Sequence, residues 1–335
     1  MLVAVLCGPT AAGKSALALE LARANGFEIL CADSRQIYRG LEVGTGAPTE
    51  AEQALVPHHL AGCIEPGQAF SPREYPLHVH RLLDANPETR FLAVGGTGLY
   101  LKELLFPSPF DRGPTPEPIK LEVQERIKAK GLAEMHAELV RLDPEGADAI
   151  HPNDAYRIAK RWENLLLTGQ SYARFTGRPI LDPRFEGTPI LWMDMEREPL
   201  YRRIDARVEA MAHGGWLEET RNLMEDPAWR THPAYTSLGY AAMTEVAEGR
   251  ITLEAAIQAI RKQTRNYAKR QRTFFRHQLP GIERWEAEDL RAAFIDVDWK
   301  WEVFCTRINN QGREPDRHPS DKPGQIPGNS GRTGL

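Results

Sequence analysis

The sequence predicts an α/β protein, a parallel sheet with flanking helices that is interrupted by an all-helical insertion. Three observations carry that prediction. The apolar run Leu2–Leu6 reads as a buried strand, and it leads through a glycine loop into the strong helix former Ala16–Ala22. Two more short apolar runs, Phe27–Ala32 and Arg90–Val94, end in polar or glycine-rich segments as parallel strands do at a ligand-binding edge. Between about 112 and 175 no strand signal appears and every periodic segment has helical spacing. The expected layout is a core in two parts, 1–110 and 179–300, around an insertion at 111–178. A tail at 306–335, poor in apolar residues, is expected to be disordered.

The first loop is Gly8-Pro9-Thr10-Ala11-Ala12-Gly13-Lys14-Ser15. Strand, glycine loop and helix in that order make a phosphate-binding loop, so the fold class sharpens to a P-loop NTPase-like sheet. Backbone N–H groups turn onto phosphate oxygens and the helix N-terminus adds partial positive charge. Lys14 is expected on the terminal phosphates and Ser15 on a magnesium ion. Which phosphorylated ligand binds, and whether its phosphate is transferred or leaves, is open at this stage.

Composition narrows the class. A chain of 335 residues with 41% hydrophobic and 26% charged content is an ordinary globular protein. No apolar run approaches the ~20 residues of a membrane span. The first apolar run has no basic region before it and continues into the loop, so it is a core strand and not a signal peptide. Cys7, Cys31, Cys63 and Cys305 are scattered without a Cys-x-x-Cys pair, which points away from structural zinc or disulfides and towards the cytoplasm. A monomer is expected.

Beyond the second strand stands Asp33-Ser34-Arg35-Gln36-Ile37-Tyr38. Asp33 falls at the ligand edge of the sheet, as a turn cap, a magnesium partner or a general base. The stretch Gly40–Pro48 is glycine-rich but too irregular for a second phosphate site. Pro57-His58-His59-Leu60 reads as structural, because adjacent histidines cannot both face one ion and no further ligand stands at metal spacing. Ser71-Pro72-Arg73-Glu74 predicts a helix start with a capping box, and the helix runs to about Ala85. Gly95-Gly96-Thr97-Gly98 is a second strand–glycine–helix junction, with Thr97 able to donate to a phosphate oxygen.

In the insertion, helices are expected from Ile119, from Leu132 and from Ala155 to Thr168, the last capped at Asn153-Asp154. Arg157, Lys160 and Arg161 share a face of that last helix. Pro189–Met193 returns to strand character, and a helix opening at Leu200 carries Arg203 and Arg207 four residues apart. They read as surface ion pairs or as a fork for a leaving diphosphate. A helix from about Leu253 to Gln278 has an apolar face of Ile257, Ile260, Thr264, Tyr267 and Phe274. Its stripe of Arg261, Arg265, Lys269, Arg272 and Arg276 reads as a polyanion contact, because seven basic and no acidic residues lie between 261 and 276.

Two features count against a nucleotide kinase. The strand ending at Val94 runs into glycine where a magnesium-binding Asp is expected, and no dense arginine lid is evident. A small-molecule or nucleotide kinase binding ATP, a prenyltransferase acting on free adenine nucleotides, and a non-catalytic RNA-binding protein are the competing classes. The motif set resembles the tRNA dimethylallyltransferase (IPP transferase) family, which prenylates an adenosine next to the anticodon. The likeness is carried in order by residues 8–15, 33–38, 57–60 and 95–100, by Asn153-Asp154 with Arg157, by Gly239-Tyr240, and by Thr264-Arg-Asn-Tyr-Ala-Lys-Arg-Gln271.

The resemblance implies that dimethylallyl diphosphate lies on Gly8–Ser15, its charge met by Lys14, Ser15, Thr97 and Mg²⁺. It makes Asp33 the acceptor of the adenine N6 proton and places Thr97 and Arg207 on the leaving group. It puts Asp33, Ser34, Arg35 and Gln36 against the target base, unstacked from the anticodon stem-loop. It sets Tyr156, Arg157, Lys160, Gly239, Tyr240, Lys269, Arg270, Gln271, Arg272 and Arg276 against the tRNA. The chain departs from the family pattern at Ser15 for Thr, at Ala47 for a lysine, at Ala61-Gly62 for a segment with Asp, and at Phe274 for Trp.

Overall fold

The computed structural model describes residues 1–107, 115–147, 150–171 and 179–286. The tail expected at 306–335 and the end of the core beyond 286 lie outside them. In chain order the elements begin β1 (Leu2–Cys7), α1 (Lys14–Asn25), β2 (Glu28–Cys31), α2 (Glu42–Thr45), α3 (Glu50–Leu55) and β3 (His58–His59). They continue with α4 (Glu74–Ala85), β4 (Phe91–Gly95), α5 (Gly98–Leu105), α6 (Glu117–Lys130), α7 (Leu132–Leu142), α8 (Pro144–Ala147) and α9 (Ala155–Thr168). The last set is β5 (Ile190–Asp194), α10 (Arg197–Met211), α11 (Leu217–Leu223), α12 (Tyr240–Ala247), α13 (Leu253–Gln278) and β6 (Ile282–Glu286).

The six strands form one parallel sheet in the order β3-β2-β4-β1-β5-β6. Buried parallel strands read as unbroken apolar runs, and β1, β4 and β5 are buried at every position. β1 lies between β4 and β5, so the chain leaves it in one direction and returns on its other side. Ligands bind beyond the carboxyl ends of strands at such a switch point. Residues 8–15, 33–36 and 96–97 follow strand ends there, and Asp194 closes β5.

Two apolar cores hold this edge in place. One packs Val5, Leu30, Phe91 and Trp192 of the sheet against Tyr75 and Val79 of α4 and Leu101 and Leu104 of α5. The other joins Ile204 and Val208 of α10 to Trp216, Trp229, Tyr240 and Ile260. α13 belongs to both: Ile257, Ile260 and Ala268 lie in the second, Phe275 and the following Leu279 in the first. At ~1.5 Å rise per residue its 26 residues span about 39 Å, enough to cross the site from core to core.

Helices α6 to α9 pack on a cluster of their own, with Val123, Met135, Leu139, Ile158 and Trp162 at its centre. Asp154 caps α9 by accepting from the Arg157 N–H at 3.0 Å. The helix start at 71–74 differs from expectation. The Glu74 carboxylate accepts from the Ser71 N–H at 2.6 Å, but the Ser71 hydroxyl is buried without a partner and helix begins only at Glu74. Only half of the capping box forms.

Candidate active site

The phosphate loop is built by backbone that few residues tolerate. Gly13 (φ +103°) and Ala11 (φ +64°) are left-handed, and Ala11 and Leu60 are the two non-glycine residues with positive φ among those described. A Cβ at Gly8 would lie 2.2 Å from the Met193 carbonyl oxygen, so the end of β5 admits only glycine there. Left-handed alanine costs about 1 kcal/mol, strain of the kind concentrated at ligand sites. Lys14 opens α1, is 8% exposed, and donates to the Pro9 carbonyl at 2.8 Å. Burial brings its pKa down to about 8; Asp33 opposes the shift and Arg207 adds to it. Ser15 is exposed at the rim.

Loop and strand ends enclose a cavity of about 410 Å³ lined by Thr10, Lys14, Ser15, Asp33, Gln36, Gly95, Gly96, Arg207 and Gln271. It extends past Ile29, Cys31 and His58 between α1 and the β2 edge. Cation and carboxylate thus face one space. Arg207 enters from α10 and donates to the Thr45 carbonyl at 3.1 Å; burial lowers its pKa and Asp33 restores part of the shift. Arg203, one turn earlier, donates instead to the Ala12 carbonyl at 3.2 Å, on the α10 side of the loop. The two arginines therefore divide the work that their spacing assigned jointly.

Asp33 accepts from the Arg35 N–H at 2.9 Å, the turn its position predicts, and still lines the cavity. Thr97 starts α5. Its hydroxyl accepts from the Ser34 N–H at 2.9 Å and donates to the Ser34 hydroxyl at 3.2 Å. Burial and Asp33 push the Tyr267 phenol up to about 12. Sequence spacing had read Tyr267 only as part of an apolar face. Arg35 reaches Thr236 at 3.1 Å, and Gln36 donates to the Gly46 carbonyl at 2.9 Å.

Several residues expected on RNA turn inward. Tyr240 is 0% exposed and donates to Glu219 at 2.6 Å, and the same carboxylate accepts from the Val43 and Gly44 N–H groups at 2.6 and 3.0 Å. Burial raises the Glu219 pKa. Gly239 is buried with it against Trp216. Tyr240 and Glu219 together brace residues 42–46, which meet Arg207, and the Tyr240 side chain does not reach a surface. Gln271 is buried too, bonded to both glycine loops. The basic stripe is largely neutralised: Arg261 pairs with Glu209, Arg265 with Asp205, and Arg272 with Asp194 at 2.8 Å. Their partners sit on α10 and β5, far away in sequence. Exposed cations remain at Lys269, Arg270 and Arg276, and Arg270 lies over the Tyr267 ring. On α9, Tyr156 is 67% exposed beside Lys160, which pairs with Glu163, and Arg157, which pairs with Asp154.

His59 contacts Glu28 at 2.6 Å, and no three ligating side chains cluster among the described residues. The Ser15 hydroxyl beside a carboxylate suits a magnesium ion held mainly by substrate phosphates and water.

A parallel sheet with a phosphate loop at its switch point and a carboxylate across the cavity defines a P-loop α/β enzyme. The chain belongs to the IPP transferase family: that family's model matches residues 36–278, and the isopentenyl transferase model matches residues 1–56. It is 38% identical over 312 residues to a tRNA dimethylallyltransferase of Rhodopseudomonas palustris, covering 90% of this chain and 98% of that one. Identity to the enzyme of that name from Geobacter metallireducens is 39%, over 81% and 88% of the two chains. The crystal structure of a tRNA isopentenylpyrophosphate transferase from Bacillus halodurans superposes with TM-score 0.63 at 28% identity, covering 93% and 98%. A eukaryotic dimethylallyltransferase crystallised acting on tRNA shares the fold with TM-score 0.74 at 23% identity, over 95% and 81%.

Proposed function

We propose that this chain transfers a dimethylallyl group from dimethylallyl diphosphate to N6 of adenosine 37, next to the anticodon of tRNAs reading codons that start with U. The observation that carries the reading is Lys14 and Asp33 lining one cavity, a cation for a diphosphate and a carboxylate for a proton. The adenine N6 attacks the allylic carbon, the carbon–oxygen bond breaks, and inorganic diphosphate leaves. An exocyclic amine is a weak nucleophile, so Asp33 takes its proton as the new bond forms. Lys14 from α1 and Arg207 from α10 stabilise the departing charge, and Thr97 accepts from the Ser34 N–H next to Asp33. Magnesium, when bound at Ser15, would neutralise further diphosphate charge.

The target base must leave its stack to reach this depth. Lys269, Arg270 and Arg276 on α13 and the Tyr156–Lys160 face of α9 supply cations and an exposed ring for the anticodon stem-loop. No helix among the described residues is long and apolar enough to cross a membrane. A cytoplasmic monomer is the setting that accompanies this reading. Labelled dimethylallyl diphosphate and unmodified tRNA with adenosines at 36 and 37 test it: label should enter the tRNA. Consumption of ATP with no label in tRNA overturns the reading. Asp33→Ala should abolish transfer and leave tRNA affinity intact.

A further inference from the structure

We infer that Gln271 is a positioning residue for the diphosphate donor, tying the two glycine loops of the site together, and not a contact for RNA. The inference rests on the reading of this cavity as a diphosphate holder. Gln271 lies on α13 and is 5% exposed. Its Oε1 accepts from the Thr10 N–H at 2.9 Å, inside the phosphate loop. Its Nε2 donates to the Gly96 carbonyl at 2.8 Å, in the β4–α5 junction. One side chain thus accepts from one loop and donates to the other. An amide does both at any pH, whereas a carboxyl group of the same reach does so only when protonated.

The site is shaped around that amide. A Cβ at Gly96 would lie 2.3 Å from Nε2 and 3.3 Å from the Gly8 carbonyl oxygen, so glycine at 96 is what lets the bridge close. Tyr267 lies one turn earlier on the same helix, while Lys269 and Arg270 between them are exposed. The inner face of α13 therefore sets loop geometry and its outer face carries free charge. Cutting the bridge leaves the Thr10 N–H without its partner, leaves the Gly96 carbonyl with the Gly98 N–H alone, and frees two loops that a diphosphate needs in register. Loss of about tenfold to a hundredfold in diphosphate affinity follows from one backbone donor left unpaired and two loops released from each other.

The test measures two dissociation constants in magnesium buffer, for inorganic diphosphate and for an unmodified anticodon stem-loop RNA, with wild type, Gln271→Met and Gln271→Glu. Gln271→Met should weaken diphosphate about tenfold to a hundredfold and leave RNA affinity within about twofold. Burial raises the pKa of a carboxylic acid, so lowering the pH towards about 5.5 favours its neutral form, which can accept and donate like the amide. Gln271→Glu should then bind diphosphate within about threefold of wild type while Gln271→Met does not. Lys14, Asp33 and Arg207 line the same cavity, so all comparisons are made at one pH. Wild-type diphosphate affinity in Gln271→Met, loss of RNA affinity alone, or no advantage of Glu over Met at low pH each overturns the inference. Should Gln271→Met fail to fold, Gln271→Glu against wild type at low pH decides. A wild-type chain that binds no diphosphate overturns the site reading itself.

Discussion

Raising the pH past 8 should switch off donor binding through Lys14. The ammonium is 8% exposed, and burial lowers its pKa from 10.5 to about 8. Bound diphosphate favours the charged form, so the complex titrates higher than the free protein. Below pH 8 the lysine is already charged and affinity is at its plateau. Above it, each diphosphate bound must also bring a proton. For one site with a midpoint near 8, about 90% is charged at pH 7 and about 3% at pH 9.5, so the dissociation constant should rise about thirtyfold between them. Isothermal titration with diphosphate across that range measures it. Lys14→Arg stays charged throughout and should bind more weakly at pH 7, with a flat profile. A flat wild-type profile, or the same fall in Lys14→Arg, refutes the argument. Stability moves the other way. The unfolded chain holds more protons between pH 8 and 10.5, so Lys14 makes the fold more stable as pH rises through that window, and unfolding does not mimic the loss.

The remaining predictions concern charge placement. Asp194 is 0% exposed and takes Arg272 at 2.8 Å and Arg284 at 3.1 Å. Asp194→Asn should cost about 3 kcal/mol once the partial exposure of both arginines is allowed for, a fall of about 6–12 °C in Tm; an unchanged melting curve contradicts the pairing. Lys269→Glu with Arg276→Glu should weaken RNA binding and lower its salt slope by about one per cation lost, whereas Arg265→Gln, already paired with Asp205, should leave both unchanged. Equal losses from the two changes would mean that the whole stripe meets RNA. Arg207→Lys should weaken diphosphate about tenfold, since a point charge cannot hold Thr45 and an oxyanion together; calorimetry showing wild-type affinity would remove Arg207 from the site.

Much of the phosphate grip was legible because its signals are local. Gly8, Gly13 and Lys14 are dictated by a turn that closes within eight residues, and Asp33 follows its strand directly. Helix limits at 155–168 and 253–278 were readable from caps and periodicity for the same reason. The edge strand β6 escaped notice, since Ile282–Glu286 is short and alternates weakly. The pairing of the α13 stripe is not legible in the sequence. Its counterions Asp205 and Glu209 lie some fifty to sixty residues earlier on α10, and no spacing rule links them.

By itself the sequence determined a parallel α/β core with a phosphate loop, the carboxylate opposite it, and a separate helical segment, because backbone geometry and hydrophobic period act over a few residues. The tertiary structure alone decided which polar side chains face a ligand. Tyr240 and Gln271 carry the same polar groups whether buried or exposed, and Arg265 looks like Lys269 until Asp205 arrives beside it. Burial and counterions are set by packing between distant segments. At this site that packing buries a motif tyrosine against Glu219 and a motif glutamine between the two glycine loops.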